Sequence, residues 1–172
     1  FEVGMLNKTP RTGFQFLGSG KESVAEHVLR TIFIGYTLAK LERGVDELKV
    51  LKMCLVHDLP EARTGDMNYV NKKYVNVDEA KSVRELTETL FFGQDISGAI
   101  GEFNEKKTKE ARLARDADQL ALILQLKEHG DLGNKYSREW IGFAVRRLCT
   151  DTARKLAEAI LHTDSAEWWF KD

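Results

Sequence analysis

Apolar residues recur every three or four positions along most of this chain, with Lys, Glu and Arg between them, and strand-like alternation appears only in short scraps. That period predicts helices. Ser23 with Glu26 three residues later is a capping box, and it starts a helix from 23 to about 41. The expected apolar stripe of that helix is Val24, Val28, Leu29, Ile32, Phe33 and Tyr36, with His27 beside it in the first turn. Asp46 caps the next helix, whose expected inward face is Leu48, Leu51, Met53, Cys54 and Leu55. It runs into Val56-His57-Asp58-Leu59-Pro60-Glu61. Pro60 has no N–H and its ring collides with the carbonyl of Val56, so the helix bends or stops there. A helix from 78 to about 92 and a shorter one after Ser97 are expected next. The longest helix runs from 108 to about 128, with Leu113, Ala117, Leu120, Ala121 and Leu124 inward, and helices at 137 to 148 and 151 to 162 complete the set. Residues 1 to 8 form a short helix stopped at Thr9-Pro10, because the residue before proline is pushed out of the helical region. No repeat, low-complexity tract or linker divides the chain, so the pattern predicts an all-α fold, one bundle of six to eight helices over residues 1–172.

Composition narrows the class. A chain of 172 residues buries roughly two thirds of its unfolded surface and needs no covalent staple. Its 26 Lys and Arg against 27 Asp and Glu leave a net charge of -1, so no basic field points to a nucleic acid polymer or an anionic membrane. No apolar run approaches the roughly 20 residues that span a bilayer. Residues 1 to 8 lack the basic start and apolar middle of a secretory signal, although the sequence opens on Phe rather than Met and a few residues are expected ahead of it. Cys54 and Cys149 both sit in apolar helical patterns and read as two buried hydrophobes, which fits a reducing, cytoplasmic setting. Trp168-Trp169-Phe170 is a large apolar group for packing on the bundle or on a partner subunit.

The chemistry gathers at His57-Asp58. An imidazole beside a carboxylate, with Glu61 and Asp66 within ten residues, is a costly concentration of negative charge unless something positive joins it. A divalent cation is the simplest candidate, and a helix end facing water is the alternative. His57 and Glu61 are four apart and share a helix face, while Asp58 lies about 100° round. Asp118, beside an apolar face deep in the longest helix, calls for a partner or a cation. Arg11-Thr12-Gly13-Phe14 reads as a turn that presents an arginine. Residues 67 to 77 are a polar loop with aromatic and basic side chains, either a pocket wall or ordinary surface. Gly18-Ser19-Gly20-Lys21 is not a phosphate-binding loop: Gln15 stands where the motif needs glycine and Glu22 where it needs a hydroxyl. His129 and His162 lie near helix ends and need no function.

The order Arg11-Thr-Gly, Ser-Val-Ala-Glu-His27, His57-Asp58-Leu-Pro-Glu61, Thr-Gly-Asp66 and Asp118-Gln119 resembles the HD-domain metal-dependent phosphohydrolases, and within them the 5'-deoxynucleotidase branch. The resemblance implies that His27, His57, Asp58 and Asp118 ligate one divalent metal (Co, Mn, Fe, Ni or Zn), that Glu61 is the catalytic carboxylate, that Arg11 meets the phosphate and that Asp66 lies on the sugar side. Relatives tend to carry tryptophan close behind the arginine; this chain has Phe14, which keeps an aromatic face for sugar or base and loses an N–H donor. The implied activity is hydrolysis of deoxyribonucleoside 5'-monophosphates to nucleoside and phosphate by a homodimer. Two alternatives stay open: an enzyme of the same kind acting on a cyclic nucleotide, a nucleoside triphosphate or a guanosine polyphosphate, and a nucleotide-sensing module without turnover.

Overall fold

One helix, Lys109–Asp131, is buried along most of its middle, and five other helices pack on it. In the computed structural model, which describes residues 1–170, the elements in order are α1 (Glu2–Met5), α2 (Val24–Leu41), α3 (Glu47–Val56), α4 (Glu61–Thr64), α5 (Glu79–Thr87), α6 (Gly93–Glu105), α7 (Lys109–Asp131), α8 (Ser137–Val145), α9 (Asp151–His162) and α10 (Glu167–Phe170). Two 3-10 turns, Thr12–Phe16 and Asn71–Lys73, lie in the connections. Among the described residues α1, α4 and α10 are single four-residue turns, which leaves seven longer helices, and the isolated bridge between Pro10 and Ser23 is the only strand-like pairing. The all-α expectation and its count of six to eight hold. Helices α2, α3, α6, α8 and α9 all pack on α7, and among the described residues no helix is long and apolar enough to cross a membrane.

The helix starts follow the capping chemistry. Ser23 Oγ accepts from the Glu26 N–H while Glu26 returns a bond to the Ser23 N–H, and Asp46, Asp78, Thr108 and Thr150 cap α3, α5, α7 and α9. Asp116, one of the two aspartates in the apolar stretch of α7, is fully buried and accepts from Cys149 N–H (2.7 Å), Thr150 N–H (2.9 Å) and the Thr150 hydroxyl (2.6 Å). It ties the start of α9 to the central helix.

Packing shifts several expected faces. The buried side of α2 is Val24, His27, Val28, Thr31, Ile34, Gly35, Leu38 and Ala39, whereas Phe33, 67% exposed, Leu29 and Tyr36 face out. Gly35 sets this rotation: a Cβ there would lie 2.5 Å from Cys54 Sγ, so α2 and α3 meet at a glycine. On α3 the buried residues are Val50, Met53, Cys54 and Val56, and Leu48 and Leu55, seven apart, share the exposed face. Helix α5 ends at Thr87 rather than near 92, and α6 begins at Gly93, ahead of Ser97. Gly93 packs on the Thr87 carbonyl where a Cβ would lie 2.0 Å away, so the chain turns sharply there. Helix α8 stops at Val145, short of 148, and Cys149 is exposed in the turn before α9, not buried in a helix.

Candidate metal centre

Three helices that pack on one another deliver the central side chains. His27 hangs from the first turn of α2, His57 follows the last residue of α3, and Asp118 projects from the middle of α7. One donor atom each from His27, His57 and Asp118 lie within 4.8 Å of one another. Asp58 Oδ2 stands 3.2 Å from His57 Nε2 and 3.6 Å from His27 Nε2, and His27 Nε2 is 3.2 Å from Asp118 Oδ1. His27, His57 and Asp118 therefore form one potential ligand cluster, and Asp58 stands against both of its histidines.

Pro60 has the predicted effect. Helix α3 gives way to tight turns in which Leu59 N–H bonds Val56 and Glu61 N–H bonds Asp58, and α4 then starts behind Pro60. His57 Nδ1 lies 2.9 Å from the Cys54 carbonyl, which can only accept, so Nδ1 carries the proton and Nε2 turns its lone pair into the site. His57 Nε2 and Asp58 Oδ2 are buried and take part in no hydrogen bond, and the same is true of Glu61 Oε2. Gln119 Nε2 donates to Asp118 Oδ2 (3.0 Å), and Arg115 stands 3.6 Å from the same oxygen.

Charge is out of balance around this point. Glu22, Asp58, Glu61, Asp66 and Asp118 act on or are acted on by Arg11, whose side chain is 16% exposed and whose Nη1 is 3.7 Å from Asp58 Oδ2. Burial disfavours the charged Arg11, but Asp58, Asp118, Asp66 and Glu22 outweigh it and raise its pKa. Burial also opposes ionisation of Asp58, yet His57 and His27 hold its carboxyl down at about 2, and the same histidines hold Asp118 well below the usual range. Burial lowers His27, helped by the Arg11 charge, whereas at His57 Asp58 overcomes burial and raises it. Glu61 goes the other way: burial first, then Asp58 and Asp66, push its carboxyl up to about 9. Two buried imidazoles, two ionised carboxylates and orphaned donor atoms, with no thiolate among them, suit a divalent cation.

Asp66 shows a role that its sequence position did not reveal. Its Oδ2 accepts from the Thr12 N–H (2.6 Å) and lies 3.2 Å from the Thr12 hydroxyl, and Asn68 Nδ2 donates to that hydroxyl (3.1 Å). Asp66 thereby clamps the Arg11 turn, 54 residues earlier in the chain. Asn68 and the charge of Lys72, felt at Glu61, place the segment 67 to 77 beside the site, as a pocket wall requires. Phe14 corrects an expectation. It is 6% exposed and packs with Leu17, Leu126 and the His129 ring, so its aromatic face belongs to the core. Glu22 and Asn68 carried no signal as site residues, because each acts through a partner that only the fold brings close.

The HD domain family matches residues 3–161. The 5'-deoxynucleotidase HDDC2 of Dictyostelium discoideum is 34% identical over 138 residues, 73% of each chain. That of Danio rerio is 30% identical over 142 residues, 79% of this chain and 70% of its own. The solved structure of a conserved hypothetical protein from Pyrococcus furiosus superposes with a TM-score of 0.81 at 29% identity, over 94% of this chain and 96% of that one. A predicted metal-dependent phosphohydrolase from Magnetospirillum magnetotacticum shares the fold, with a TM-score of 0.73 at 23% identity over 93% and 86%. With its histidines and aspartates gathered at one point and these matches along most of its length, the chain belongs to the HD-domain family, in its 5'-deoxynucleotidase-like branch.

Proposed function

We propose that this chain is a 5'-deoxynucleotidase that uses one divalent transition metal, Co, Mn, Fe, Ni or Zn, to release phosphate from deoxyribonucleoside 5'-monophosphates, within one domain over residues 1–172. The observation that carries this reading is the cluster of His27, His57 and Asp118 with Asp58 against both histidines and Arg11 and Glu61 beside it. The two histidines and two aspartates hold the metal. When bound, it supplies Lewis-acid polarisation of a phosphoryl oxygen and a lower pKa for water.

Arg11 offers a planar fork to two phosphate oxygens, and its approach to Asp58, 3.7 Å, supports that role. Burial, with the Asp58 and Asp66 charges, favours the protonated form of Glu61, which suits a donor to the departing 5'-oxygen or a group that orients water. Asp66 uses one carboxylate oxygen on Thr12 and keeps the other for the sugar side. The likeness to the HDDC2 enzymes supports the monophosphate as substrate. The exposed Leu29, Phe33 and Tyr36 along α2 support self-association as a homodimer, and two free cysteines support a cytoplasmic setting. The test is phosphate release from a panel of deoxy- and ribonucleoside 5'-monophosphates with each metal in turn. Release from the deoxy series is expected; bound metal with no release from any of them makes the chain a nucleotide sensor instead.

A further inference from the structure

Glu22 is a buried carboxylate that the reaction outlined above does not use. It is 8% exposed, and its Oε2 lies 3.7 Å from Arg11 Nε. We propose that Glu22 is the positioning residue for Arg11, holding the Nε side of the guanidinium so that the Nη1 side faces Asp58 and an incoming phosphate. The proposal rests on the reading of Arg11 as the phosphate-binding side chain.

Three observations carry it. First, the loop that holds both residues is closed without the Glu22 side chain. Arg11 N–H bonds the Glu22 carbonyl (2.8 Å), Val24 N–H bonds the Thr9 carbonyl (2.9 Å), and Pro10 and Ser23 form a bridge. Asn134 Nδ2 donates to the Leu17 carbonyl (2.9 Å) and Ser19 Oγ (2.8 Å), while Gly20 sits so close to His129 that a Cβ would lie 2.2 Å from the ring. Secondly, backbone and side chain of the arginine turn are held by different carboxylates: Asp66 takes the Thr12 N–H, and Glu22 stands on the guanidinium. Thirdly, both contacts of the guanidinium, to Glu22 and to Asp58, are 3.7 Å, longer than a hydrogen bond, so neither consumes an N–H. The fork is aimed and its donors stay available. As a stabilising device the arrangement is poor, since burial opposes the charge on Glu22, with Arg11 and Arg30 countering it, and an apolar side chain avoids that cost.

The experiment compares Glu22→Ala, Glu22→Gln, Arg11→Lys and the double variants in the metal-loaded protein, with a deoxyribonucleoside 5'-monophosphate as substrate. Glu22→Ala is expected to raise KM about 3- to 30-fold with a smaller change in kcat, at unchanged metal content and melting temperature, and Glu22→Gln to fall between it and wild type. In the Arg11→Lys background the same substitution is expected to add less than about twofold, because the group it positions is gone. An equal rise in both backgrounds overturns the positioning role, as does an unchanged KM in Glu22→Ala when Arg11→Lys raises it. An Arg11→Lys enzyme with wild-type KM removes Arg11 from the phosphate, and this proposal falls with that reading. Should Glu22→Ala fail to fold, the near-isosteric Glu22→Gln carries the same comparison in both backgrounds.

Discussion

Glu61→Gln separates what the site costs from what it does. The Glu61 carboxyl is raised from an ordinary 4.5 to about 9, chiefly by burial and then by Asp58 and Asp66. A carboxyl whose folded pKa is raised contributes stability that is fully present below the unfolded pKa and is lost as pH rises through the folded value. In the metal-free protein the wild type therefore loses stability relative to the glutamine variant between pH 4.5 and about 9. At pH 7.5 the separation of 3 units from the ordinary value corresponds to roughly 4 kcal/mol at 1.36 kcal/mol per unit. Relaxation and water entry reduce this to about 2 kcal/mol, a gain in Tm of about 4–8 °C for a chain of this size. The assay is a set of thermal melts of both metal-free proteins from pH 5 to 8.5. The gap is expected to be near zero at pH 5 and to widen steadily, and bound metal is expected to shrink it by neutralising the surrounding carboxylates. A gap that does not change with pH would show that Glu61 ionises as readily in the folded chain as in the unfolded one.

Other substitutions probe separate parts of the molecule. His57→Ala and Asp58→Ala are expected to lose metal and activity together, whereas Glu61→Ala keeps the metal and loses turnover; metal content and rate on the same samples decide this, and an active, metal-free Asp58→Ala protein would refute the ligand set. Asp116→Ala strips three partly buried donors of their acceptor and is expected to cost about 1–3 kcal/mol, read in urea melts, with kcat of the surviving folded fraction unchanged. Gly35→Ala drives a methyl into Cys54 Sγ and is expected to cost about 1–3 kcal/mol of stability in the same melts. Thr12→Val removes the hydroxyl that Asn68 and Asp66 share but keeps the N–H to Asp66, so a KM rise of about threefold or less is expected, against a larger one for Asp66→Ala.

The legible parts of the structure are those set by local chemistry. The capping side chains Ser23 and Asp46 placed two helix starts, and Pro60 located the break that follows His57. The resemblance supplied the partners His27 and Asp118, which lie 30 residues before and 60 residues after the His-Asp pair. What stayed hidden depends on three-dimensional fit. Leu29, Phe33 and Tyr36 look as apolar as Val24 and Val28, and only the approach of Gly35 to Cys54 rotates them outward. Asp116 and Asp118 are equivalent in pattern, two residues apart on one helix, yet one anchors α9 and the other enters the site. Glu22 had no visible reason to be charged until the loop brought it onto Arg11.

Cys54 links the core to the chemistry in a further way. Its sulfur meets Gly35 of α2 and its carbonyl fixes the His57 ring, so the spacing between His27 and His57 is tied to the close α2–α3 contact. Volume changes at positions 35 and 54 are therefore expected to alter the His27–His57 spacing, and with it metal affinity, without touching either histidine.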